Sequence, residues 1–137
     1  MNAIPEPKKI RVRGSDLTAT LIDSPTSQDF VSLSPLTLTM NDLLGREKFG
    51  HLPRALTEGG ARPRTYEVGD VVYWSSGPDV AIFYRHDGRS IPAPGIIVVG
   101  KVDRGVEALN VPGSLEVTIE RLSRGRDRLR PQPPLET

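Results

Sequence analysis

Period-two alternation runs through most of the chain. Ile10 and Val12 alternate with Lys9, Arg11 and Arg13, and Leu17, Ala19 and Leu21 alternate with Thr18 and Thr20. Successive side chains of a strand point to opposite faces, so each run gives a strand with one apolar face. Gly14-Ser15-Asp16 between them predicts a hairpin. Asp23-Ser24-Pro25 then changes the pattern. Ser24 is placed to cap a helix and proline suits its first position. Phe30 and Leu33 fall on one side of this short helix, which Pro35 ends.

Leu36, Leu38 and Met40 alternate with Thr37 and Thr39 in a third strand. Asn41 is expected to cap one helical turn closed by Gly45, with a weak strand over Glu47–Leu52. Residues 57–65, TEGGARPRT, read as a loop. Strands are expected at Val71–Trp74, Val80–Tyr84 and Ile96–Lys101. The first two are joined by the turn Ser75-Ser76-Gly77-Pro78-Asp79, and a proline-containing loop, Arg85–Gly95, precedes the third. Asp103 is expected to cap a short helix over Arg104–Leu109. Leu115, Val117 and Ile119 alternate in a last strand. Eight strands, two short helices and glycine- and proline-rich turns predict a mainly β fold, a sandwich or a barrel, of which a barrel leaves no open edge.

Composition narrows the chemistry. The chain has 137 residues, one ordinary domain, and no cysteine, which excludes disulfides, thiol nucleophiles and cysteine-ligated metals. No apolar run approaches the ~20 residues of a membrane helix, and the N-terminus lacks the apolar stretch of a signal peptide, so a cytoplasmic location with no membrane partner is expected. The net charge of +1 is uneven: residues 121–130 carry five arginines and one aspartate, and the remainder is net −3. Residues 1–121 are read as the folded domain and 122–137 as a basic, proline-containing, flexible tail. Arginine suits phosphate, but no aromatic is interleaved with these arginines. Nucleic acid is therefore not expected as a partner, beyond weak, salt-sensitive binding confined to the tail.

Four of the seven aromatic residues, Tyr73, Trp74, Phe83 and Tyr84, fall within twelve positions on two predicted strands. One member of each adjacent pair is expected to face the core and the other to line an outer groove. Gly95–Val102 approaches the phosphate-loop pattern but ends in valine, and its middle is apolar and β-branched, so it reads as strand. His51 and His86 are the only histidines and have no metal-ligand spacing. No metal, no cofactor and no catalytic residue is assigned.

Two segments carry a resemblance. Val98–Leu109, with Gly100-Lys101-Val102 and then Gly105-Val106-Glu107, resembles a late cyclophilin strand and the turn after it. Tyr66–Arg85 resembles the cyclophilin strand–turn–strand unit that ends in paired aromatics, here Phe83 and Tyr84. The set Asp23, Pro25, Thr26, Asp29, Phe30, Leu33, Pro35 and Leu36, with Gly69, Asp70, Val71, Tyr73 and Trp74, is similar to small prokaryotic cyclophilin-like proteins over residues 8–121. The resemblance implies a closed, mostly antiparallel eight-stranded cyclophilin-like β-barrel with two short helices. The aromatic cluster makes the leading reading a non-catalytic module binding a small ligand or peptide through Arg54, His51, Tyr73, Trp74, Phe83 and Tyr84. The alternative, which the resemblance implies, is a divergent peptidyl-prolyl isomerase for X–Pro peptides. In cyclophilins a Phe-His pair leads into the working arginine. Here Phe49, His51 and Arg54 are spread apart, and no glutamine precedes Phe83.

Overall fold

The computed structural model describes residues 8–122. Eight strands close into a barrel: β1 (Lys9–Arg13), β2 (Leu17–Leu21), β3 (Leu36–Leu43), β4 (Glu47–His51), β5 (Asp70–Trp74), β6 (Asp79–Phe83), β7 (Ile97–Arg104) and β8 (Leu115–Leu122). The order around the barrel is β1-β2-β7-β5-β6-β4-β3-β8, every pair is antiparallel, and β8 returns to β1. Closure pairs every edge, which an open sheet of these strands would leave bare.

The alternating residues fill the interior. Ile10, Val12, Leu17, Ala19, Met40, Val71, Tyr73, Val80, Ile82, Val99, Val117 and Ile119 form one buried cluster with Phe30 and Val31 of the helix. That helix, α1 (Pro25–Val31), starts as expected: Ser24 accepts the N–H of Ser27 at 3.1 Å, with proline in the first turn. The Ser27 hydroxyl donates to the Val99 carbonyl at 2.8 Å, tying α1 to β7.

Three local expectations are corrected. Asn41–Gly45 is not helical. β3 runs on to Leu43 and turns tightly into β4, with Leu44 at φ 59° and Gly45 at φ 65°. Two successive left-handed residues match the twist of a hairpin. Asp103 caps no helix, because it lies in β7 and accepts from Lys9 and Thr20. The second helix is a single 3-10 turn, Val106–Leu109, headed by Gly105. Gly95–Val102 is strand from Ile97 onward, as its β-branched residues require. β8 extends to Leu122, and the arginine-rich residues 123–137 lie outside the described residues. Among the described residues no helix is long and apolar enough to cross a membrane.

Candidate functional site

β4, β5 and β6 are buried on both faces, unlike β1 or β3. The reason is a second apolar cluster outside the barrel: Tyr66, Val72, Ala81, Phe83, Ile91 and Ile96, with Phe49, Trp74 and Val98 against it. The register sets their places. Phe49 pairs with Ala81, Ala81 with Val72, and Val72 with Val98, giving one row across four strands. Leu43, Glu47 and Phe83 form the row on one side, and His51, Asp79 and Trp74 the row on the other. Ala81 is the smallest side chain of its row and lies between larger neighbours. The face is therefore hollow there, and a cavity of ≈ 170 Å³ opens among Phe49, Trp74, Ala81 and Phe83.

Two long loops roof this face, residues 52–69 and 84–96. They hold each other: the Ile91 N–H donates to the Arg64 carbonyl at 2.7 Å, and the Ile96 N–H donates to the Pro63 carbonyl at 3.0 Å. The Arg64 Nε returns a bond to the Ile91 carbonyl at 2.8 Å. Gly95 makes this junction possible. Its φ is +91°, and a Cβ there would lie 2.7 Å from the carbonyl oxygens of Arg62 and Pro63. Tyr66 stacks on Phe83 and on His86, with centroids 4.0 and 4.2 Å apart. Its hydroxyl donates to Asp87 Oδ1 at 2.9 Å and accepts the Asp87 N–H at 3.0 Å. His86 Nδ1 accepts the Gly88 N–H at 2.9 Å, which leaves the proton on Nε2 to reach the Tyr66 carbonyl at 3.1 Å.

Charge enters the cavity at its two ends. At one end lie Arg46 and Glu47, both buried. Arg46 Nε donates to Glu47 Oε1 at 2.8 Å, and Nη1 lies 3.5 Å from both Asp87 oxygens. The guanidinium carbon is 5.3 Å from the Tyr66 centroid and 5.6 Å from that of Phe83. Near-equal distances from two stacked rings place it beside the stack, not over a ring face. The carboxylates, then, are what meet its charge. Burial pushes the Glu47 carboxyl above its usual range, with Asp87 and Asp42 adding to the rise and Arg46 opposing it. Burial is the largest influence on Arg46 and works against its charge, but the bond to Glu47 and the attraction of Glu47 and Asp87 together outweigh it and its pKa is raised. Asp87 is lowered, chiefly by the Arg89 N–H. At the other end Asp79 Oδ1 lies 2.5 Å from Nδ1 of the exposed His51.

The sequence-predicted residues separate. Trp74 and Phe83 line the cavity, and His51 stands at its margin through Asp79. Tyr73 instead points into the barrel, where its hydroxyl accepts the Leu56 N–H at 3.0 Å. Tyr84 packs against the same interior and donates to Asp42, and burial followed by that bond pushes its hydroxyl up to about 12. Arg54 is held on α1 by Asp29 and does not line the cavity. Sequence reasoning missed Arg46, Glu47 and Ala81. Only Glu47 had a signal, the i, i+2 spacing with Phe49 and His51 that shares one face of β4; Arg46 and Ala81 had none. Among the described residues no group of three or more potential ligands could hold a metal ion.

A closed antiparallel β-barrel with an apolar cavity on its outer wall, roofed by loops, is the class of protein these features define. The chain belongs to the Cyclophilin-like family, whose model matches residues 10–120. Its fold is similar to the solution structure of the hypothetical protein AF2241 from Archaeoglobus fulgidus. The two share 24% sequence identity and a TM-score of 0.67, over 84% of this chain and 93% of that one. No curated protein matches the chain.

Proposed function

We propose that this barrel is a binding module that takes a small apolar group, a peptide side chain or the body of a small molecule, into the cavity over Ala81. The hollow itself carries the reading: an apolar space between Phe49, Trp74 and Phe83, with polar side chains only at its ends. Its ≈ 170 Å³ is below the ~300–1,000 Å³ of pockets for drug-sized ligands, so it suits one side chain or a small ring. Trp74 is the only tryptophan and reports on the site directly. Titration with a short Ala-Ala-Pro-Phe peptide, read by Trp74 emission and by amide shifts of Ala81 and Phe83, tests the reading. Saturable shifts confined to this face support it; shifts elsewhere or none at millimolar peptide remove the peptide arm.

A second reading, a divergent peptidyl-prolyl isomerase, is favoured by one observation: Arg46 places a guanidinium at the edge of the cavity. Stabilising a twisted amide requires a hydrogen-bond donor there, because the barrier of ~18–20 kcal/mol arises from the amide's double-bond character. Exchange spectroscopy on the same peptide separates the readings. Faster cis–trans exchange that is lost in Arg46→Lys supports an isomerase, and binding without faster exchange supports the module.

A further inference from the structure

Glu47 is, with Asp79, one of two carboxylates of the cavity that keep an oxygen without a donor among the described residues, and it is the one beside the buried arginine. The Glu47 side chain is only 10% exposed, and it lines the hollow. Oε1 accepts from Arg46 Nε, and among the described residues Oε2 accepts from nothing. A buried carboxylate oxygen without a donor is costly, so a polar partner there is favoured. Arg46 reaches only Oε1: Nε donates there, Nη1 faces Asp87, and no Arg46 nitrogen donates to Oε2. One guanidinium thus faces two carboxylates, and Asp79 adds a third acidic side chain at the opposite end. Among the described residues, Arg46, Glu47 and Asp79 are the ionisable side chains lining the cavity, and with all three charged they sum to −1. Glu47 and Asp79 are four residues, about 14 Å, apart along the strands by the ~3.4 Å rise per residue, so the ends act separately on a ligand of this size.

Resting on the binding reading above, we propose that the cavity selects a hydrophobic amine: an apolar or aromatic body seated over Ala81, with an ammonium group donating to Glu47 Oε2. The body gains from burial against Phe49, Trp74 and Phe83. The ammonium supplies the donor that Oε2 lacks and offsets the acidic lining. A carboxylate-bearing ligand of the same size would have to place its charge beside Glu47 and reach an Arg46 already shared by two acids.

Three probes that share a phenethyl body test this on the full chain at neutral pH: phenethylamine, 2-phenylethanol and 3-phenylpropanoate. Binding is read by calorimetry and by the amide shifts of Ala81 and Phe83. The expected order is the amine tightest, about tenfold over the alcohol, with the carboxylate weakest. Glu47→Gln should remove the roughly tenfold preference, bringing the amine to the level of the alcohol measured on the same variant. Equal binding of all three overturns the amine selectivity and leaves the apolar binding site standing. Tightest binding of the carboxylate overturns it in favour of Arg46 as the recognition group. Failure of all three to shift Ala81 or Phe83 removes both the selectivity and the small-molecule site. The wild-type comparison decides the matter even if the variant folds poorly.

Discussion

Arg54 clasps Asp29 with both ends of its guanidinium, Nη2 to Oδ1 at 2.7 Å and Nη1 to Oδ2 at 3.1 Å. Nη2 also donates to the Ser32 hydroxyl at 3.2 Å, and the Thr57 N–H donates to Asp29 Oδ2 at 2.7 Å. This arginine pins the loop after β4 onto α1. The clasp, then the Thr57 N–H, holds the Asp29 carboxyl well below the usual carboxylate range. A carboxyl lowered on folding contributes stability that is fully present above its unfolded value, ~4, and is lost as pH falls toward its folded value. Arg54→Ala should therefore lower the melting temperature most near neutrality, and the gap to wild type should shrink as the pH drops below ~4. Thermal melts at three pH values check this. A gap independent of pH would mean that the arginine acts through packing alone. The same variant should leave ligand shifts at Ala81 unchanged, because Arg54 does not line the cavity.

Lys48 is fully buried inside the barrel wall, one residue from Glu47 and on the opposite face. Its Nζ donates to the Val111 carbonyl at 2.6 Å and the Gly113 carbonyl at 2.7 Å and pairs with Asp42 at 3.2 Å. It fastens the loop before β8 across that end of the barrel. Lys48→Met keeps the volume but leaves two carbonyls without a donor and Asp42 without its cation. The expected loss is about 2–4 kcal/mol, measured by chemical denaturation. Asp42→Asn should cost less, since Asp42 is partly exposed and Lys48 keeps both carbonyls.

Strands with one wet face were legible because alternation survives there, as in β1, β2 and β8. It fails where both faces are covered. Glu47-Lys48-Phe49-Gly50-His51 reads as a weak, charged segment, yet Lys48 fills the interior and Glu47 the outer cavity. Nothing local distinguishes a lysine that will be buried from one that will be solvated, because its partners at Val111 and Gly113 lie more than sixty residues away. The turn at Leu44-Gly45 was missed for a similar reason. A leucine at positive φ is held by the pairing of its flanking strands, not by its own preference. The aromatic pairs were resolved in principle by alternation, which says that Tyr73 and Trp74 diverge. Which one turns outward depends on the register with β6. The outer cavity was harder to see, because it is made by the smallness of Ala81 between Phe49 and Val72, and that is a cross-strand fact.

If the hollow over Ala81 is the binding site, filling it should silence the site without unfolding the barrel. Ala81→Leu adds a side chain into a space of ≈ 170 Å³. Overpacking usually costs about 1–3 kcal/mol, but here the added atoms enter an existing void, so the change in stability should stay under about 1 kcal/mol. Denaturation should be nearly unchanged, and shifts at Phe83 on adding peptide or amine should vanish. Retained binding with native stability would place the site elsewhere.

The roof over the cavity depends on a backbone that no side chain can occupy. At Gly95 a Cβ would meet two carbonyl oxygens at 2.7 Å, and the φ of +91° is strained for any other residue. Gly95→Ala cannot keep both the conformation and the contact, so the loop over 84–96 must pull away from the loop over 52–69. The bonds that join them, Ile91 N–H to Arg64 and Ile96 N–H to Pro63, should then weaken first. Backbone strain of this kind costs about 1–3 kcal/mol, and here it falls on a roof and not on the barrel. Amide exchange should rise at Ile91 and Ile96 while Val12 and Ile119, deep in the barrel, remain protected. Trp74 emission should move to longer wavelength as water reaches the cavity. Uniform loss of protection across the chain would show instead that the roof and the barrel fold as one cooperative unit.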